Sequence, residues 1–412
     1  MTDWREALFA RRTLGVRPGY AGLRRVLDEL VPGACERPPF RVVQVVGTNG
    51  KGSTSAMLAH GLAQAGLPGP IGLYTSPHLH RVGERVQIAG RALDDAAIQR
   101  TSDRVDAVER ALGERLSFFE VLTAVAIVEF VAAGCSAVVL EAGLGGRLDA
   151  TTVMHADVVA IARIALDHQA YLGDTLAAIA GEKAAVIRAG QRVFTQVQAP
   201  EASVVIDQRA AAQGVEVVRV EPLARAPLGL PGEHQRHNAA LALASLRALV
   251  PERADIDARW LDGVRWPGRL ESIRLGAGQV WLDVAHNLDG IEALVTALAQ
   301  LGIQPDAIVF GTLADKQPEA MAERLRSIAP LWLVPPEHAS AMDVAALARP
   351  GERQFFGSSD PALMAALHER IGAGDTLLVC GSHYLVGALR ERLLDLDAAS
   401  LDPRALADPI TR

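Results

Sequence analysis

Residues Val42 to Thr54 constrain the chain more than any other stretch. Val42, Val43, Val45 and Val46 form a β-branched run that enters Gly47-Thr48-Asn49-Gly50-Lys51-Gly52-Ser53-Thr54, and Met57, Leu58 and Leu62 then repeat at helical spacing. This is a strand–loop–helix unit, and it requires an α/β architecture with the loop at the carboxyl end of a buried strand. Glycines let successive backbone N–H groups close around a phosphate, and the following helix turns its positive end toward it. Lys51 then reaches the outer phosphates, with Ser53 or Thr54 beside a magnesium ion. The run departs from the generic P-loop at two places. Val45 stands where the first glycine is expected, and Gly52 follows the lysine where Ser or Thr is usual.

Strand-like and helical runs alternate along most of the chain, as in parallel sheets with crossover helices. Strands are predicted near 41–46, 137–140, 157–164 and 192–197, and helices near 53–65, 94–112, 118–133 and 175–188. A second series places strands near 279–284, 306–310, 331–334 and 376–380. Pro and Gly interrupt both periodicities at Trp266-Pro267-Gly268-Arg269. At 412 residues the chain exceeds what one core usually serves. Two domains follow, 1–266 and 267–412: a P-loop-type, mostly parallel α/β sheet domain, then a smaller Rossmann-like α/β domain, with a nucleotide in the cleft between them.

A net charge of −7 without a long basic run argues against nucleic acid. No apolar run reaches the length of a membrane span, and the amino terminus has no signal-peptide core. Three distant cysteines (Cys35, Cys135, Cys380) read as reduced thiols of a cytoplasmic protein.

Other motifs gather at expected strand ends. Glu141 closes the run Val138–Leu140, where it either holds a metal or caps a turn. His168 follows the strand starting at Asp157; an imidazole there is either a magnesium ligand, unusual for an oxygen-preferring ion, or a structural histidine. Ser76 lies in Tyr74-Thr75-Ser76-Pro77, an ordinary turn or a hydroxyl at a ligand. Lys183 sits within an apolar helical pattern; it either snorkels to solvent or stays buried with a depressed pKa, reactive even toward CO₂. In the second half, Asn238 opens a helix, Arg269 sits at the break and suits a phosphate clamp, and Asp283 ends a strand where ribose hydroxyls need an acceptor.

Taken in order, these segments resemble the bacterial folylpolyglutamate synthases and dihydrofolate synthases of the Mur ligase superfamily. The resemblance runs from Gly47–Ser53 through Ser76-Pro77-His78-Leu79, Glu84-Arg85-Val86, Ser117–Glu120, Leu140–Ala150, Asp167-His168, Glu182-Lys183, His234–Asn238, Gly268-Arg269 and Asp283–Asn287 to Gly381-Ser382. It implies that Thr48, Asn49, Gly50, Lys51, Gly52 and Ser53 bind ATP, with Asn238, Arg269 and Asp283 completing the site. It implies Ser76, Glu141 and His168 as ligands of one Mg²⁺, and a carbamylated Lys183 serving a second. Lys51, His168 and Lys183 would be the catalytic set. Ser117, Phe119, Glu120, Leu148, Asp149 and Ala150 fall where the pterin is held, Phe119 offering an aromatic face and Asp149 an acceptor. Phe119 read by itself is equally a core residue of its helix.

The implied reaction is ATP-dependent: a carboxylate becomes an acyl phosphate, and the amine of L-glutamate displaces phosphate. The acceptors would be dihydropteroate and reduced folates, and the enzyme a monomer. The pattern differs at Thr13-Leu14-Gly15, where members carry Asp-Leu-Gly, at Thr152 in place of Asn, and at Leu288 in place of Pro. A cell-wall ligase acting on a UDP-linked precursor would need roughly 100 further residues ahead of the P-loop, and residues 1–46 do not hold them. A P-loop switch protein is the other rival, but it has no use for a second domain carrying Arg269, Asp283 and His286.

Overall fold

The structure, a computed structural model, describes residues 4–14, 19–224 and 228–394. Thr13 and Leu14 fall in a short 3-10 helix, Arg11–Leu14; Gly15 lies outside the described residues, as do 225–227 and the last residues of the second predicted domain.

Eight strands build the first sheet: β1 (Arg41–Val46), β2 (Ile71–Tyr74), β3 (Val86–Ile88), β4 (Arg91–Ala92), β5 (Ala137–Glu141), β6 (Val158–Ile161), β7 (Arg192–Gln196) and β8 (Val217–Val220). Their order is β4-β3-β2-β5-β1-β6-β7-β8. The five pairings from β2 to β8 are parallel, and the β2–β3 and β3–β4 pairings are antiparallel. β1 is central, with Val43 opposite Val139 on one side and Val158 on the other. Helices cover both faces, which is why β1, β5 and β6 read as continuous apolar runs rather than alternating ones. On one face, Lys51–Ala63 packs against His234–Leu249. The approach is so close that a Cβ on Gly61 would stand 2.5 Å from Leu246 Cδ1.

The second sheet holds β9 (Glu271–Leu275), β10 (Gly278–Asp283), β11 (Ala307–Phe310), β12 (Leu331–Leu333), β13 (Arg353–Gln354) and β14 (Thr376–Cys380) in the order β13-β12-β11-β14-β10-β9. Only β9 is antiparallel to its neighbour. The predicted core strands are present in both series. The edge strands β3, β4, β8, β9 and β13 lie outside the predicted series: they are short or half-exposed and carry little apolar signal. β6 ends at Ile161, earlier than its hydrophobic run suggests, and the helix predicted at 175–188 is Leu176–Ala184.

Arg390, on the helix His383–Leu393, is fully buried and ties the two halves together. It pairs with Glu271 at 2.7 Å and lies 3.2 Å from His80 Nε2, in the loop after β2. Glu271 in turn accepts the N–H of Gly268 at 2.9 Å. Arg390→Met leaves that carboxylate without its cation, and is expected to cost roughly 3 kcal/mol of stability. Equilibrium unfolding checks this; an unchanged midpoint would remove the guanidinium from the interface.

Candidate active site

The carboxyl ends of β1, β5, β10, β11 and β14 open on one cavity of about 950 Å³. Thr48 to Ser53 line it from the first half, and Arg269, Asp283, His286, Lys316 and His383 from the second. An open α/β sheet places ligands at this end because strand order reverses there and helix amino termini converge.

The loop after β1 is shaped by glycine. Gly50 has φ 86°, and a Cβ there would stand 2.3 Å from Asn238 Oδ1, so both the backbone conformation and the space require its hydrogen. Asn238 is held by Gln196 Nε2 at 2.8 Å and Gln235 Oε1 at 2.9 Å. Lys51 opens the helix and donates to Thr48 O at 3.2 Å. A Cβ built on Gly52 would meet Arg269 Nη2 at 3.3 Å and Glu141 Oε1 at 3.8 Å. The fold therefore gathers Gly50, Lys51, Gly52, Asn238, Arg269 and Glu141 at one point. Ser53 faces the cavity; Thr54 is wholly buried, its Oγ1 without a partner among the described residues. Asp283 lines the cavity and accepts Leu270 N–H and Ala285 N–H, both at 2.8 Å.

Glu141 is buried at the end of β5. Its Oε2 accepts from the Thr75 hydroxyl and from Ser76 N–H at 3.3 Å, and Oε1 has no donor among the described residues. Burial raises its pKa, opposed by Lys51 and by the Thr75 hydrogen bond. A buried carboxylate with one open oxygen beside a hydroxyl suits a hard cation. His168 differs from its expected place. It lies seven residues beyond Ile161, in a left-handed conformation (φ 51°) ahead of the short helix Gln169–Leu172, and not at a strand end. Its ring contacts Lys316 Nζ at 3.3 Å, and burial together with the Lys316 and Lys51 charges lowers its pKa to about 4 despite Asp167. Among the described residues no three His, Cys, Asp or Glu side chains form a metal cluster.

Lys183 is buried on its helix and donates to Gly47 O at 2.8 Å, directly under the glycine-rich loop. Burial, reinforced by Lys51, lowers its pKa to about 7. It does not snorkel.

The residues expected at the pterin divide into two kinds. Phe119 is half-buried and faces the cavity, pressed on the loop after β5, where a Cβ on Gly143 would stand 2.6 Å from its Cζ. Its neighbour Phe118 is the core residue. Leu148 and Ala150 also line the cavity. Ser117 and Glu120 line it too and form a reciprocal helix cap, with Glu120 Oε2 accepting from Ser117 N at 2.8 Å and Oγ at 2.7 Å. Asp149 is no free acceptor either. One oxygen accepts from Gly143 N and Leu144 N, the other from Thr151 N and Oγ1, all within 3.0 Å. Its four lone-pair positions are filled, so within the cavity wall it shapes the loop.

A buried network not evident in the sequence crosses the cleft. Asp167 pairs with Lys316 and accepts from Asn287 Nδ2 at 2.9 Å. Although burial by itself raises its pKa, the hydrogen bond from His286 and the charges of His286, His168 and Lys316 hold it well below the carboxylate range. Asn287 and Asp289 also bond Asn49 of the phosphate loop at 3.0 and 2.9 Å. Asn287 is visible in the run from Asp283. Lys316 follows Gly311-Thr312 at the end of β11, and a polar loop after an apolar strand is its only signal.

A family model for the Mur ligase glutamate ligase domain matches residues 268–383. The chain is 33% identical to the folylpolyglutamate synthase of Lacticaseibacillus casei over 410 residues, covering 90% of this chain and 94% of the relative. It belongs to the folylpolyglutamate synthase/dihydrofolate synthase family. The dihydrofolate synthase/folylpolyglutamate synthase of Escherichia coli is 35% identical over 399 residues, 90% of each chain. The solved structure of Escherichia coli FolC in complex with DHPP and ADP superposes with a TM-score of 0.82 at 29% identity, covering 95% of this chain and 97% of that one. The two-sheet architecture is thus the architecture of the family. Among the described residues no helix is long and apolar enough to cross a membrane.

Proposed function

We propose that this chain is an ATP-dependent ligase that joins L-glutamate to 7,8-dihydropteroate and adds γ-linked glutamates to reduced folates. The observation that carries the reading is the convergence of Gly50, Lys51, Glu141 and Arg269 in one cleft between two sheets. In this reading residues 1–266 bind ATP and the acceptor, and 267–412 supply the glutamate-ligase half.

Thr48 to Ser53 cradle the phosphates, Lys51 neutralises charge on the transferred group, and Asn238, Arg269 and Asp283 hold the nucleotide from the far wall. Glu141, with Ser76 and His168, would hold Mg²⁺, which when bound neutralises phosphate charge. A carbamate on Lys183 would serve a second ion; its pKa, lowered to about 7 by burial, supports that modification. The acceptor carboxylate attacks the γ-phosphate, and the glutamate amine then displaces phosphate from the acyl phosphate. Phe119 stacks the pterin, with Leu148 and Ala150 beside it, while Ser117, Glu120 and Asp149 keep that wall in place. Three buried free cysteines support a cytoplasmic enzyme, which acts as a monomer with no nucleic-acid or membrane partner.

Phosphate release with dihydropteroate and with tetrahydrofolate, assayed separately at saturating ATP and glutamate, tests the reading. Turnover of both is expected. Turnover of the folate alone would reduce the protein to a polyglutamate synthase, and turnover of neither would overturn the acceptor assignment. Glu141→Gln keeps the shape and removes the charge. It is expected to raise the Mg²⁺ needed for half-maximal activity by at least roughly tenfold; an unchanged Mg²⁺ titration would take Glu141 out of the metal site.

A further inference from the structure

Arg85 ends the 3-10 helix Val82–Arg85, and its carbonyl accepts Thr75 N–H at 2.9 Å, which fixes it beside the loop carrying Ser76. The residue is only 7% exposed, yet it lines the cavity with Ser76, Phe119 and Glu141. Its Nε donates to His78 Nδ1 at 2.8 Å, and the guanidinium stands 5.2 Å from the Phe118 ring centre. Among the described residues neither Nη has an acceptor. The neighbouring carboxylate of Glu84 is engaged elsewhere, accepting from the N–H groups of Leu79, His80 and Arg81 at 2.8, 3.1 and 2.8 Å. Arg12 lies on the same ring, Phe118, at 4.8 Å and adds a second positive charge. Glu141 attracts Arg85 without a hydrogen bond.

A guanidinium out of water with an imidazole and a ring for company is costly unless an anion joins it. The surroundings respond to that charge. Burial lowers the pKa of Arg85. His78 meets it as an acceptor through Nδ1. The forked Nη pair matches a carboxylate in a way that a point charge does not.

We propose that Arg85 receives the carboxylate of the pteroyl acceptor, between the Phe119 wall and the Ser76–Glu141 end of the cavity. The assignment rests on the ligase reading above and deepens it. In the dihydropteroate reaction Arg85 selects an acceptor that presents an aryl carboxylate and steadies that group for attack on ATP. Neutral pterins of the same shape lack the group that the buried cation needs.

Binding of pteroic acid and of its carboxamide to the ADP-loaded protein tests this. The wild type is expected to prefer the acid roughly ten- to hundredfold, the usual worth of a hydrogen-bonded charge pair. Arg85→Met is expected to bind both alike, with the KM for the acceptor raised by the same factor and the KM for ATP within about twofold. Arg85→Lys, which keeps the charge on a single-pronged head, is expected to recover part of the preference. Equal binding of both probes by a wild type that still ligates glutamate would overturn the assignment without any variant. So would an Arg85→Met that retains ADP binding and the full preference for the acid. Binding of neither probe by the wild type would overturn the dihydropteroate part of the ligase reading, and this assignment with it.

Discussion

Lys51→Ala is expected to lower glutamate ligation by roughly a hundred- to thousandfold while leaving the fold intact. The chemistry is phosphoryl transfer, in which the protein contributes placement and charge more than covalent steps. Lys51 opens the helix beneath the phosphate loop, and its charge reaches Glu141, His168 and Lys183. Among the described residues its side chain hydrogen-bonds to Thr48 O alone, at 3.2 Å, and it is partly exposed, so truncation breaks little structure. Phosphate release, with circular dichroism as the folding control, checks the result. Near-normal turnover in a folded variant would remove Lys51 from the reaction.

Lys183→Arg is expected to be nearly as damaging, although it keeps the charge of a free ammonium. A carbamate carries the opposite charge, and an arginine side chain cannot form one. Intact mass of the wild type in bicarbonate should show an added carboxyl group that the variant lacks. The pH dependence follows from the position of the residue. Its pKa falls from 10.5 to about 7, first through burial and then through Lys51. A buried lysine with a lowered pKa penalises the fold when charged. That penalty is fully present below about pH 7 and disappears as pH rises toward 10.5, the reverse of a lysine held by a salt bridge. The unmodified protein should therefore gain stability across that window. Carbamate loading, which needs the neutral amine, should fall as pH drops below about 7. Loading that stays flat across that pKa, or full activity in Lys183→Arg, would contradict the role.

The glycine-rich loop and the central strands are legible in the chain read residue by residue. β1, β5, β10 and β14 lie between two helical layers, so burial on both faces writes itself into sequence as an uninterrupted apolar run. Loop chemistry is equally local: Gly50 and Lys51 act within a few residues of a strand end. Lys183 is half legible, because an apolar helix containing one lysine leaves burial and snorkelling open.

What the chain does not write down locally is who meets whom across the cleft. His168 reads as a strand-end ligand because the apolar run after Val158 continues past the last paired residue, and ladder pairing, not hydrophobicity, ends a strand. Asp149 reads as a free acceptor until the loop folds back and fills its oxygens. The pairing of Asp167 with Lys316 and the hold of Asn287 and Asp289 on Asn49 join residues 149 to 240 positions apart. The open fork of Arg85 depends in turn on which carboxylates the fold has already engaged. By itself the sequence determined two α/β sheets and a glycine-rich loop at a strand end, because those rest on near-neighbour spacing. Only the tertiary structure decided which charges are neutralised and which await a ligand, because burial and charge pairing arise when the two halves close on one another.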